Sequence, residues 1–187
     1  MNKCLPILCA GILFVAACKK SSDSNSNSST TFTANVNGKA TTFNINSATL
    51  IRSTAAHEKR MDIQGISTDN SKRLIITLGL ETDLGTGMTV KTYTLNPFPD
   101  DNPATPNIDE SATTDGFSTY STSLSNGNWL TNVYDEQGSF ILSACDSTHS
   151  TVSGTFQTTL TDNTVSPAAS ITITGGKCSN VKYRMLN

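Results

Sequence analysis

Three sets of side chains in this 187-residue chain have the types and spacing for chemistry. Asp100, Asp101, Asp109, Glu110 and Asp115 crowd one segment, where their oxygens could serve Ca²⁺, an ion that takes six to eight oxygen ligands. Their spacing is not that of an Asp-x-Asp-x-Asp-Gly loop. Pro97, Pro99, Pro103 and Pro106 also account for an irregular backbone there on their own. The expectation is therefore no cofactor, with calcium on this loop as the alternative. Glu81 and Asp83 form a second carboxylate pair at the end of an expected strand, where acid–base work competes with simple solvation. Trp129, Tyr120 and Tyr134 fall on two expected strands. Exposed together they would stack on a sugar or another ligand with an apolar face; otherwise they fill a core. Alternation sends Trp129 and Tyr134 to opposite faces, which favours the core.

The remaining reactive groups are histidines and thiols. His57 and His149 sit in expected turns, and His57-Glu58 lacks the second histidine four residues on that a zinc-protease helix requires. There is no Gly-x-Ser-x-Gly elbow and no phosphate-cradling Gly-Lys-Ser/Thr loop. Cys145 and Cys178 could pair in an oxidising compartment. If neighbouring strands pair in sequence order, one strand lies between them. Their Cα atoms would then be roughly 10 Å apart, too far for an unstrained bridge.

Cys18 has the most restrictive surroundings. It ends Val15-Ala16-Ala17-Cys18, after an apolar run from Cys4 to Ala17 that follows Lys3. That run is shorter than the ~20 residues that cross a bilayer, but it suits a secretory leader, and small residues precede the cut. The pattern resembles a bacterial lipoprotein signal. It implies cleavage before Cys18 and acylation of its sulfur and amine, more than one chain being needed for stable anchoring. Residues 1–17 are thus expected to be a signal peptide. Residues 18–31 are the lipidated cysteine and a disordered tether, KKSSDSNSNSSTT being too polar to offset the entropy of ordering. Such a tether spans roughly 20 Å root-mean-square.

Residues 32–187 must position everything else. The whole chain carries 13 basic and 15 acidic residues, net −2, so no basic face points to nucleic acid. Its 29 threonines and 23 serines, with few charges, suit solvated sheet faces rather than helices. Phe32, Ala34 and Val36 alternate with polar residues up to Asn37-Gly38, a type I′ hairpin signal. Lys72 to Leu80 is the most apolar strand and is expected to be central. A second Asn-Gly at Asn126-Gly127, a turn at Asp135 to Gly138 and a kink at Gly175-Gly176 punctuate the rest. Short strands between frequent turns predict an all-β domain: an antiparallel β-sandwich, with a barrel as the alternative.

The runs Phe32-Thr-Ala-Asn-Val-Asn-Gly-Lys39, Val152-Ser-Gly-Thr-Phe156 and Ile171-Thr-Ile-Thr-Gly-Gly-Lys177 resemble those of uncharacterised Bacteroidota lipoproteins with a β-sandwich domain. That resemblance brings no activity with it. The sequence therefore predicts a membrane-anchored extracytoplasmic protein, at the outer membrane and facing the periplasm or the surface. It would act by binding or as a structural part of the envelope, with a protein or glycan as partner. The alternatives are a small-ligand carrier with an enclosed apolar cavity and an envelope hydrolase using the acidic segment.

Overall fold

The computed structural model describes residues 30–95, 116–123, 126–162 and 169–187, without the side chains of 80, 130–136 and 162. Alternating apolar and polar residues build ten strands and, among the described residues, no helix. They are β1 (Thr31–Val36), β2 (Lys39–Ser53), β3 (Glu58–Ser67), β4 (Lys72–Glu81) and β5 (Thr92–Leu95). After the acidic segment come β6 (Gly116–Ser123), β7 (Trp129–Asp146), β8 (Thr151–Asp162), β9 (Ala169–Lys182) and β10 (Arg184–Leu186).

The all-β expectation holds, but the sheet closes into a barrel instead of splitting into a sandwich. β1 is the closing strand: it pairs with β2 on one edge and β9 on the other. The ring runs β1-β9-β8-β7-β5-β6-β4-β3-β2 and returns to β1, while β10 lies outside it against β2. It is also mixed rather than purely antiparallel, since β5 meets β6 and β10 meets β2 in parallel. The physical reason is the length of the strands. β2, β7 and β9 have 15, 18 and 14 residues, and a sandwich would have to cut each of them in two. Instead, bulges bend them within one sheet, at Ile45/Ser47 in β2 and at Asp135/Gln137 and Leu142/Ala144 in β7. The turn expected at Asp135 to Gly138 is therefore one of these bulges.

Other local signals carry through. Asn37 and Gly38 take φ of 49° and 77°, the left-handed pair that the β1–β2 turn requires. The register of β8 against β9 shifts beside Gly176, with Gly175 at φ 57°, so the expected kink is a bulge. β4 is paired on both edges and keeps Leu74, Ile76 and Leu78 fully buried.

Aromatic rings fill the lower interior. Phe32 lies 5.4 Å from Phe43 and 5.6 Å from Phe156, which stacks on Phe140 at 6.1 Å between centroids. The rings fit because the facing residues lack side chains. A Cβ on Gly65 would lie 2.4 Å from the Phe32 ring, and one on Gly176 would lie 2.5 Å from Phe156. Each buried phenylalanine contributes on the order of 1.5–3 kcal/mol. These rings take up interior space that an enclosed apolar cargo would need.

The antiparallel registers place the β1–β2, β3–β4, β6–β7 and β8–β9 connections at one end of the barrel, here the mouth. The β2–β3, β4–β5 and β7–β8 connections lie at the other, the base. The described chain begins at the base, where Thr31 faces Ser179 near the end of β9 and the Thr30 hydroxyl donates to the Asn180 carbonyl at 3.1 Å.

Cys145 on β7 and Cys178 on β9 are free thiols with β8 between them. The possible disulfide is not formed, for the spacing reason given above. Cys178 is instead a core residue whose thiol burial pushes up to about 12.

Candidate functional site

Two clusters of polar side chains occupy the barrel ends. At the base, the segment 82–91 between β4 and β5 folds inward and places Met88 in the core, 5% exposed. Lys59, 1% exposed, holds it there. Its ammonium donates to the Gly87 carbonyl at 2.5 Å and pairs with Glu81 Oε2 at 3.1 Å and Asp83 Oδ2 at 3.6 Å. Glu81 also accepts from the Tyr93 hydroxyl and, at 3.0 Å, from the Thr89 N–H. Tyr93 lies within 2.6 Å of the Thr89 carbonyl as well, with the Lys91 ammonium 4.7 Å above its ring. Burial alone would raise the Glu81 carboxyl. Hydrogen bonds from Tyr93, Lys59 and Thr89, with the Lys59 charge, outweigh it and hold the group below the usual carboxylate range. Cys145 Sγ completes the seal by accepting the Met88 N–H at 3.3 Å.

This settles the role of the Glu81 and Asp83 pair in the described structure. Both carboxylates serve Lys59, and Glu81 has two further donors. The cluster clamps the segment 82–91 to β3 through Lys59.

The mouth is open. A cleft of about 700 Å³ runs between the β1–β2 turn, the β3–β4 turn, β6 and β9. Val36, Ile171 and Tyr120 line it along with Lys39, Thr41, Ser67, Asp69, Ser71 and Lys72. Barrel mouths of this size with a few convergent polar groups are where small ligands bind. Asp69 is spent on its own turn: its carboxylate accepts from the Ser67 hydroxyl at 2.5 Å, the Ser71 N–H at 3.0 Å and the Ser71 hydroxyl at 2.8 Å. Those bonds hold it at about 2. Asn37 Oδ1 accepts the Thr172 N–H at 2.8 Å, tying the β1–β2 turn to β9. Tyr120, 5% exposed, is different, since among the described residues nothing takes or gives a hydrogen bond at its hydroxyl. Burial, then the nearby Asp69 charge, push its phenol up to about 12, so it stays a donor at ordinary pH.

Of the aromatic set, the structure brings only Tyr120 into the cleft. Trp129 lies outside it, its ring 5.0 Å from the Arg73 guanidinium. The side chain of Tyr134 lies outside the described residues, as do Cys18 and the calcium candidates Asp100, Asp101, Asp109 and Glu110. His57 and His149 are exposed turn residues; His149 Nδ1 sits 2.7 Å from Asp146 Oδ2. The described residues hold no cluster of three or more metal-ligating side chains.

Lys59, Lys39, Lys72 and Asp69 were not visible as site residues from sequence alone. For Lys59 a signal existed: it continues the inward series Met61, Ile63, Gly65 two residues upstream, so alternation places a lysine in the core. No such pattern marks Lys39 and Lys72, which line one cleft from the starts of β2 and β4, on either side of β3. No known family, curated protein or solved structure matches the chain, so the site rests on its own geometry.

Proposed function

We propose that this chain is a lipid-anchored protein of the cell envelope that works by binding a small polar ligand at the barrel mouth. The observation that carries the reading is the cleft of about 700 Å³ between the β1–β2 and β3–β4 turns, at the end opposite the first described residues. A tether leaving the base would point that cleft away from a membrane holding Cys18. The polar lining and filled interior favour a rim site over an enclosed apolar cargo. Acid–base work by the Glu81 and Asp83 pair is disfavoured by the bonds that Glu81 makes within the protein, and the hydrolase alternative depends on residues 100–115, outside the described structure.

Two experiments test the two halves of the proposal. Cys18→Ser should abolish palmitate incorporation and release the protein from membranes; unchanged membrane retention rules out the anchor. Native mass spectrometry of protein isolated from its own membranes should show an added mass of a few hundred daltons, lost when Thr41 is replaced by Trp to fill the cleft. An added mass that survives Thr41→Trp, or none at all, argues against the mouth.

A further inference from the structure

Among the described residues the cleft sets two lysines against one carboxylate, among hydroxyls that can give or take a hydrogen bond, and this charge balance narrows what it can hold. The Tyr120 ring is buried, and its protonated hydroxyl reaches the cleft without a partner among the described residues. A hydroxyl facing an open cleft at the end of a buried ring is positioned to donate to a ligand acceptor. Lys39 has no acid beside it among the described residues, and Lys72 meets only the Thr122 hydroxyl, at 3.1 Å. Asp69, the one carboxylate lining the cleft among the described residues, accepts from Ser67 and Ser71 and keeps its negative charge, set against the positive charges of Lys39 and Lys72. The Asn37 oxygen is taken by Thr172, leaving its amide N–H groups. The Thr41 hydroxyl donates back to the Lys39 carbonyl at 3.2 Å. A neutral polyol needs acceptors as well as donors, whereas an oxyanion needs donors and positive charge.

We propose that the mouth binds a small hydroxylated molecule carrying an oxyanion, a carboxylate or a phosphate, with Lys39 and Lys72 facing the charge and the Tyr120 hydroxyl donating to an oxygen of the ligand. This rests on the mouth being the binding site and names its ligand class. Val36 and Ile171 give an apolar patch for the carbon skeleton, as sugar faces require.

The test is calorimetric titration of the full chain in detergent with glucuronate, glucose 6-phosphate and glucose. At least one anionic probe should bind roughly tenfold more tightly than glucose, and the better of the two tells carboxylate from phosphate. The double substitution Lys39→Met and Lys72→Met should weaken that probe by about fivefold and flatten its salt dependence. Tyr120→Phe should weaken it by roughly three- to tenfold while the unfolding transition stays in place. Glucose binding as tightly as both anions overturns the oxyanion assignment and leaves the mouth reading standing. No binding of any probe up to about 10 mM overturns both.

Discussion

The base and the mouth of the barrel use the same residue types to opposite ends. At the base Lys59, Glu81 and Tyr93 meet, and each polar group finds its partner within the protein. At the mouth Lys72, Asp69 and Tyr120 line one cleft, yet Asp69 bonds to its own turn and the Tyr120 hydroxyl has no bond among the described residues. The difference is not composition but saturation. A polar cluster whose bonds close on themselves stabilises a fold, and one with open valences under partial burial is poised to take a ligand. Barrel geometry supplies the contrast. The segment 82–91 folds under the base and carries its own backbone donors and acceptors to Lys59 and Glu81. Among the described residues, the short β1–β2 and β3–β4 turns leave the mouth uncovered.

The contrast is broken most directly at Lys59. Lys59→Met leaves the Glu81 carboxylate, 8% exposed, without its cation and releases the Gly87 carbonyl. Removing one partner of a buried pair costs about 3–5 kcal/mol, a large share of a domain's stability. Urea unfolding should register that loss, whereas Lys39→Met at the exposed rim should stay within about 0.5 kcal/mol of the parent. Equal effects at the two lysines would remove the distinction. Tyr93→Phe comes next. It strips one donor from Glu81 and should cost about 1–3 kcal/mol, read from the same curves.

The pH dependence separates the ends by sign. Glu81 is held below its unfolded value of 4.5, so the unfolded chain takes up the proton first as the solution is acidified. Its contribution is present above about pH 4.5 and is lost as pH falls through the lower folded value. Melting temperatures between pH 3 and 7 should therefore decline on the acid side, less steeply in Glu81→Gln. Tyr120 works the other way, its folded value being raised from 10.0 to about 12. Its contribution is present below pH 10 and is lost as pH rises towards 12. Burial and the neighbouring Cys145 raise Tyr183 to about 12 as well, so absorbance titration should show late-ionising tyrosines whose number falls by one in Tyr120→Phe.

How much of this could be read from the chain differs by element, for reasons of range. The Asn37-Gly38 turn, the central position of β4 and the bulge near Gly175 depend on residues close in sequence, and all three were legible. Closure was not, because it needs Thr31 to face Ser179, a pairing that no local pattern encodes. The expected turn before Gly138 failed in an instructive way. That glycine lies within a strand, where a Cβ would approach the Thr158 side chain to 2.6 Å, so its small size serves strand contact rather than a turn. The site follows the same division. Tyr120 was singled out, but as the companion of Trp129; Lys39, Ser67 and Lys72 line the same cleft from β2, β3 and β4, which reach β6 through the long-range β4–β6 pairing.

The smallest expected effect sharpens the comparison furthest. Tyr120→Phe removes a hydroxyl that makes no hydrogen bond among the described residues and keeps the ring that packs in the mouth. Losing a satisfied hydroxyl usually costs about 0.5–1.5 kcal/mol, but losing an unsatisfied one deprives the protein of nothing and spares some desolvation. Stability should change by no more than about 0.5 kcal/mol, or rise slightly. In a double variant with Tyr93→Phe the two effects should add, since the residues lie at opposite ends and share no partner. A loss of about 1.5 kcal/mol or more from Tyr120→Phe alone would mean that the hydroxyl is already bonded within the protein. The mouth would then be as saturated as the base, and the argument for a ligand there would fall with the contrast.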